Sequence, residues 1–164
     1  MTTVAAAIYR EGGGCRIVVA ADSKASDDNG VLSFRTPKLH RIKSSVYAIA
    51  GNDWVDYFLE WRRTGNLPPR IIDLHEEEVD FAVIEAAPDG LWYWNRTFTR
   101  VKINDDFFAI GSGELVAMYA MKELGMHPSD AVHAAAKVDS HTNDDVTVEV
   151  VVLKKRSRGD YPGP

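Results

Sequence analysis

The chain opens on two apolar runs. Val4 to Tyr9 is apolar and β-prone, and Cys15 to Ala21 is largely so. Between them Glu11 to Gly14 contains three consecutive glycines, so the pair reads as a β-hairpin. Neither run alternates cleanly, which predicts strands buried on both faces. Ser26 to Gly30 is polar and turn-like, and short strands are expected at Val31 to Arg35 and Leu39 to Ile42, flanking Pro37. A further apolar run, Ser45 to Ala50, ends in Gly51-Asn52-Asp53. Asn52 or Asp53 can cap a helix from about Trp54 to Arg63, with Trp54, Phe58 and Trp61 on one face. Gly65 and Pro68-Pro69 keep that helix short.

The segment 70–78 is ambiguous, because Ile71, Ile72 and Leu74 precede three glutamates. Asp80 to Ala86 and Leu91 to Trp94 flank Pro88-Asp89-Gly90, a second hairpin with a clear turn signal. Phe107 to Ile110 predicts a strand that runs into Gly111-Ser112-Gly113. A helix over Leu115 to Leu124 is stopped by Gly125, and Ser129 is expected to cap another from Asp130 to about Ser140. Val146 to Leu153 runs apolar rather than alternating and closes the domain as a strand. The order is strands, helix, strands, two helices, strand. That favours an α+β architecture of helices packed on stacked sheets, as one domain over 1–155 with a loose tail at 156–164.

Composition adds limits. The chain has 164 residues, 45% hydrophobic and 26% charged, enough for one core without disulfides or metal. A formal net charge of -5 argues against a nucleic-acid binder; the bases Lys154, Lys155, Arg156 and Arg158 read as a solvated tail. No run approaches the roughly 20 apolar residues of a membrane span, and the N-terminus lacks the basic flank of a secretion signal. The single cysteine, Cys15, allows no internal disulfide and reads as a small core residue, so a cytoplasmic location is expected. His75-Glu76-Glu77-Glu78 has no helical two-histidine spacing and reads as a solvated acidic patch, and His133 and His141 read as surface or capping residues. Trp92 and Trp94 share one strand face, as core or subunit interface. No metal and no cofactor is expected.

The candidate chemistry starts at Thr2. Removal of Met1 places a hydroxyl and a free α-amine on one residue. A hydroxyl needs a base to attack at neutral pH, and an α-amine with a pKa of roughly 7.7–8.0 can be that base. Asp22 ends an apolar strand, and Lys38 follows in Thr36-Pro37-Lys38-Leu39. A buried lysine beside Thr2 lowers the hydroxyl pKa, and a carboxylate holds such a lysine in place; otherwise the two are a surface turn and a solvated side chain. Gly51 either lets a carbonyl approach its N–H as an oxyanion donor or is a plain strand-to-helix turn. Gly111-Ser112-Gly113 alone is a weak signal.

Taken in order, these stretches resemble the proteasome β-subunit and HslV peptidase family. The match runs through Thr2-Thr3-Val4, Val18 to Ser26, Lys38 to Ile42, Ala48 to Gly51, Ala109 to Gly113 and Ala134 to Thr142. The resemblance implies a four-layer αββα sandwich of the N-terminal nucleophile (Ntn) hydrolases. It implies Thr2 as nucleophile, Lys38 as the active-site lysine, Asp22 as its carboxylate partner and Gly51 as the oxyanion glycine. It implies Ser112, Asp139 and Thr142 as the groups that hold the Thr2 amine. The reaction implied is peptide hydrolysis through an acyl-threonine ester. Expected partners are a peptide or unfolded protein, further copies in a homo-oligomeric ring and an ATP-dependent unfoldase. Only one short helix stands where the family places two long ones, so one outer helix is shortened or missing. That departure weighs against ring assembly and unfoldase docking, and points to a short bacterial or phage branch. Two other readings stay open: an Ntn amidase acting on a small amide, and a catalytically silent assembly subunit.

Overall fold

A computed structural model describes residues 2–26, 33–51, 54–66 and 81–154. Strands β1 (Thr3–Glu11) and β2 (Gly14–Asp22) form the first hairpin. Two short strands, β3 (Lys24–Ser26) and β4 (Ser33–Arg35), pair with each other. They are followed by β5 (Leu39–Ile42), β6 (Ser45–Gly51) and helix α1 (Val55–Thr64). Next come β7 (Phe81–Ala87), β8 (Gly90–Trp94), β9 (Arg100–Lys102) and β10 (Phe107–Gly111). Helices α2 (Glu114–Leu124) and α3 (Pro128–Ala136) precede the closing strand β11 (Val146–Val152). One antiparallel sheet has the order β10-β1-β2-β11, and the other is the meander β5-β6-β7-β8-β9.

The sheets stack face to face, which is why β1 and β2 do not alternate. Val4 and Ala6 of β1, with Val19 and Ala21 of β2, point at Ala48, Ala50 and Ile84 of the second sheet. The intervening Ala5, Ala7 and Ala20 point the other way, against Ala117, Ala120, Ala131 and Val132 of α2 and α3. Both faces are therefore apolar, and small residues let the layers approach closely. On the far side α1 lays Phe58 and Leu59 against Tyr47, Ile49, Val83 and Trp94. Phe58 is fully buried, which contributes roughly 1.5–3 kcal/mol. The four layers are α2 and α3, sheet, sheet, α1. Among the described residues the outer layer beside the second sheet holds a single ten-residue helix, as the short spacing before Pro68-Pro69 implied.

Several local expectations are corrected. The N-cap of α1 is Trp54, held in the left-handed region at φ 59° with no side-chain cap, while Asn52 and Asp53 lie outside the described residues. The cap of α3 is His127, whose ring nitrogen accepts from the Ser129 N–H, and the helix ends at Ala136 because its C-cap is Lys137. Strand β11 is an edge strand and does alternate at its end: Val151 is buried while Val150 and Val152 are exposed. Cys15 is half-buried beside the hairpin turn rather than in the core. Strands β3 and β9 escape the sequence pattern because each is three residues long and largely polar. The segment 70–78, the acidic patch His75 to Glu78 and the tail 156–164 lie outside the described residues. No helix among the described residues is long and apolar enough to cross a membrane.

Candidate active site

Thr2 immediately precedes β1, and every path to it runs through backbone geometry. Its carbonyl accepts from the Ser112 N–H at 3.0 Å, just past the end of β10. Thr3 stands opposite Gly111 in the β1–β10 register. Gly111 has φ 98°, and a Cβ there would lie 1.8 Å from the Thr2 carbonyl oxygen. No other residue fits. Gly113 is restricted as well, because a Cβ would lie 2.3 Å from Thr3 Oγ1 and 2.8 Å from Ala135 Cβ. The Gly-Ser-Gly stretch, weak as a motif, is the seat on which the first residues rest.

Asp22 closes the site from β2. It has no exposed surface. Thr2 Oγ1 donates to Asp22 Oδ1 in a short hydrogen bond, and the Thr3 N–H donates to the same oxygen at 2.8 Å. Oδ2 accepts the N–H groups of Lys24 at 3.1 Å and Asn143 at 3.2 Å. A buried carboxylate is tolerable only when so satisfied.

Behind Thr3 runs a chain of hydroxyls. Asp139 Oδ2 accepts from Ser112 Oγ at 2.5 Å and from Thr142 Oγ1 at 2.6 Å. Thr142 has one proton, and it goes to the carboxylate. Thr3 Oγ1 therefore donates to Thr142 Oγ1 at 2.5 Å, and in turn accepts the Gly113 N–H at 3.1 Å. Burial opposes the charge on Asp139, but the bonds from Ser112, Thr142 and the His141 N–H outweigh it and hold its carboxyl below the usual value.

The other expected site residues, Lys38 and Gly51, belong with the second sheet. Lys38, between β4 and β5, is only 6% exposed. It lines a cavity of about 200 Å³ together with Ala25, His40, Ile49, Gly51 and Asp56. Gly51 is buried at the end of β6 with φ 103°, a conformation that suits glycine. The His40 imidazole is pushed below its ordinary pKa by burial first and then by the nearby Arg63 guanidinium.

Comparison with known proteins places this architecture. No family model matches the sequence, and no curated protein matches it. Among solved structures, BPH of Thiobacillus denitrificans in complex with epoxomicin superposes with a TM-score of 0.74, at 23% identity over 94% of this chain and 100% of that one. A second structure of Thiobacillus denitrificans BPH gives 0.71, at 22% identity over 93% and 99%. HslV from Trypanosoma brucei gives 0.70, at 19% identity over 92% and 99%.

The chain has the HslV fold. This bears out the expected four-layer αββα sandwich. Within that fold the six expected site residues fall into two groups. Thr2, Asp22, Ser112 and Asp139 belong to one hydrogen-bonded region at the end of the first sheet, together with Thr142. Lys38 and Gly51 share the cavity on the second sheet. Sequence reading missed Thr3, which in a strand looks like an ordinary β-former, and Asn143, whose backbone is what matters. Among the described residues no cluster of three or more His, Cys, Asp or Glu side chains is arranged to hold a metal.

Proposed function

We propose that this chain is a threonine-type peptidase that becomes competent when Met1 is removed. The observation that carries the reading is the seating of Thr2. Its hydroxyl is held by buried Asp22 and its carbonyl by the Ser112 N–H, in an HslV fold. In the uncut chain the Thr2 nitrogen is an amide and cannot act as a base. Once freed, the amine takes the Oγ1 proton as the oxygen attacks a peptide carbonyl. The Lys38 ammonium favours the developing alkoxide, and the Gly51 N–H donates a hydrogen bond to the negatively charged carbonyl oxygen. Collapse breaks the C–N bond, the leaving amine takes the proton, and an acyl-threonine ester remains. Water, deprotonated by the same amine, then hydrolyses the ester. Ser112, Asp139 and Thr142 hold the amine in place in this reading.

Assembly into a homo-oligomer is part of the same proposal. Leu115 and Tyr119 lie one turn apart on α2 and are 80% and 59% exposed, and Val138 beyond α3 is 71% exposed. Neighbouring exposed apolar side chains of this size mark a contact surface. The test of the catalytic reading is peptide cleavage by processed protein with Thr2→Ala as the control. Cleavage that persists in the variant contradicts it.

A further inference from the structure

The cavity shared by Lys38 and Gly51 belongs to the site already described, a second one of about 540 Å³ adjoins it through Lys38, and the exposed face of α2 belongs to the proposed assembly. A larger cavity lies elsewhere. It measures about 940 Å³ and opens at the turn end of the sandwich, where Ile8 and Cys15 sit at the far ends of β1 and β2 from Thr2 and Asp22. At about 3.3 Å per residue the length of β1 puts it roughly 20 Å or more from Thr2, so its occupant is not the peptide being cut.

Its floor is apolar: Ile8, Leu91, Ile103 and Leu153, where the sandwich core stays open at one end. The ring of Trp92 forms one side. Lys102 lines it beside Gly90, where a Cβ would make ordinary contact with Lys102 Cε at 3.6 Å and Trp92 Nε1 at 3.8 Å. The charged groups of the rim are unequal. Arg10 is paired with Asp106 at 2.5 Å. Asp89 takes the Trp92 indole N–H at 3.1 Å and lies 3.6 Å from Arg100. Lys102 lies 5.6 Å from the Trp92 ring, and Lys154 is tied in by its backbone N–H to the Pro88 carbonyl. Neither ammonium has a carboxylate partner among the described residues. In a chain of net charge -5 this is a local reversal of sign above an apolar floor.

We propose that this cavity binds a small organic acid with an apolar body. The carboxylate lies between Lys102 and Lys154, and the body covers Ile103, Leu153 and the Trp92 ring. The volume falls within the range of roughly 300–1,000 Å³ typical of small-molecule sites, which share this pattern of apolar walls and few polar anchors. The site does not depend on the reading of Thr2.

The test uses the full-length protein, with 4-phenylbutyrate as probe and 4-phenylbutyramide as its neutral match. Binding is followed by two-dimensional NMR at the Trp92 indole N–H and at the Gly90 and Lys102 amides. The acid is expected to shift these signals saturably and to bind about tenfold tighter than the amide, the scale of one charge-assisted contact. Lys102→Ala with Lys154→Ala is expected to weaken the acid about tenfold and leave the amide unchanged. Lys154→Ala alone, an exposed substitution, is expected to give part of that loss. Unmoved cavity signals overturn the proposal. So do equal affinities for acid and amide, an undiminished affinity in the double variant, or shifts confined to the residues around Lys38 and Gly51.

Discussion

The two walls of the candidate site, one around Thr2 and one around Lys38, are built on different principles. At the end of the first sheet, Asp22, Ser112, Asp139, Thr142 and Thr3 form a closely hydrogen-bonded region in which Asp22, Thr3 and Thr142 are buried. Gly111 and Gly113 leave no space for even one added methyl. On the second sheet, Lys38 and Gly51 border an open volume of about 200 Å³. The first wall fixes where the threonine is. The second leaves room for something to be placed against it. In the proposed reaction Thr2 is positioned by the first sheet and assisted from the second, so substitutions on the two walls should fail in different ways.

The largest effect is expected at the seat. Gly111→Ala brings a methyl within 1.8 Å of a backbone oxygen and should destabilise the fold by at least about 3 kcal/mol. Urea unfolding measures it; a loss below about 1 kcal/mol breaks the account of the first wall. The opposite failure is expected at Lys38. Lys38→Ala should lower peptide cleavage by about 10²–10³-fold, the scale of a lost electrostatic stabiliser, while the circular dichroism spectrum stays unchanged. Equal cleavage by variant and parent removes Lys38 from the mechanism.

Smaller effects separate the walls further. Ser112→Ala removes one donor to Asp139 and should cost about 1 kcal/mol of stability. Asp139 itself sets a pH dependence. Its folded pKa lies below the unfolded one, so its contribution to stability is full above the ordinary aspartate value of roughly 4. That contribution is lost as pH falls through the folded value. Comparing the melting temperature of the parent and Asp139→Asn between neutral and acid pH checks this; parallel curves contradict it. The smallest signal is His40, lowered by burial and by Arg63. Its imidazole should titrate below about 6.5 by NMR, so His40 is neutral at pH 7.

Much of the fold was legible because its strands are long, apolar and bounded by Gly or Pro. The runs Val4 to Tyr9 and Cys15 to Ala21, and the turn Pro88-Asp89-Gly90, fall where the structure has β1, β2 and the β7–β8 turn. Burial of β1 on both faces followed directly from its missing alternation. Helix caps were not legible, because Trp54 and His127 cap through backbone conformation and a ring nitrogen rather than through the usual short polar side chains. Nor was the buried network of Glu85, Tyr47, Trp94 and Arg100, whose members come from four separate strands. At the site, Thr2 and Asp22 came from their places at strand ends. The role of Thr3 depends on which loop passes behind it, and only the three-dimensional register supplies that.

The most direct measurement is the mass of the purified protein before and after epoxomicin, the molecule bound in the Thiobacillus denitrificans BPH structure. The account predicts a chain lacking Met1 that gains one epoxomicin mass, mapped by peptide fragmentation to Thr2 and lost in Thr2→Ala. A mature chain that retains Met1 and gains no adduct, or an adduct that survives in Thr2→Ala, contradicts it.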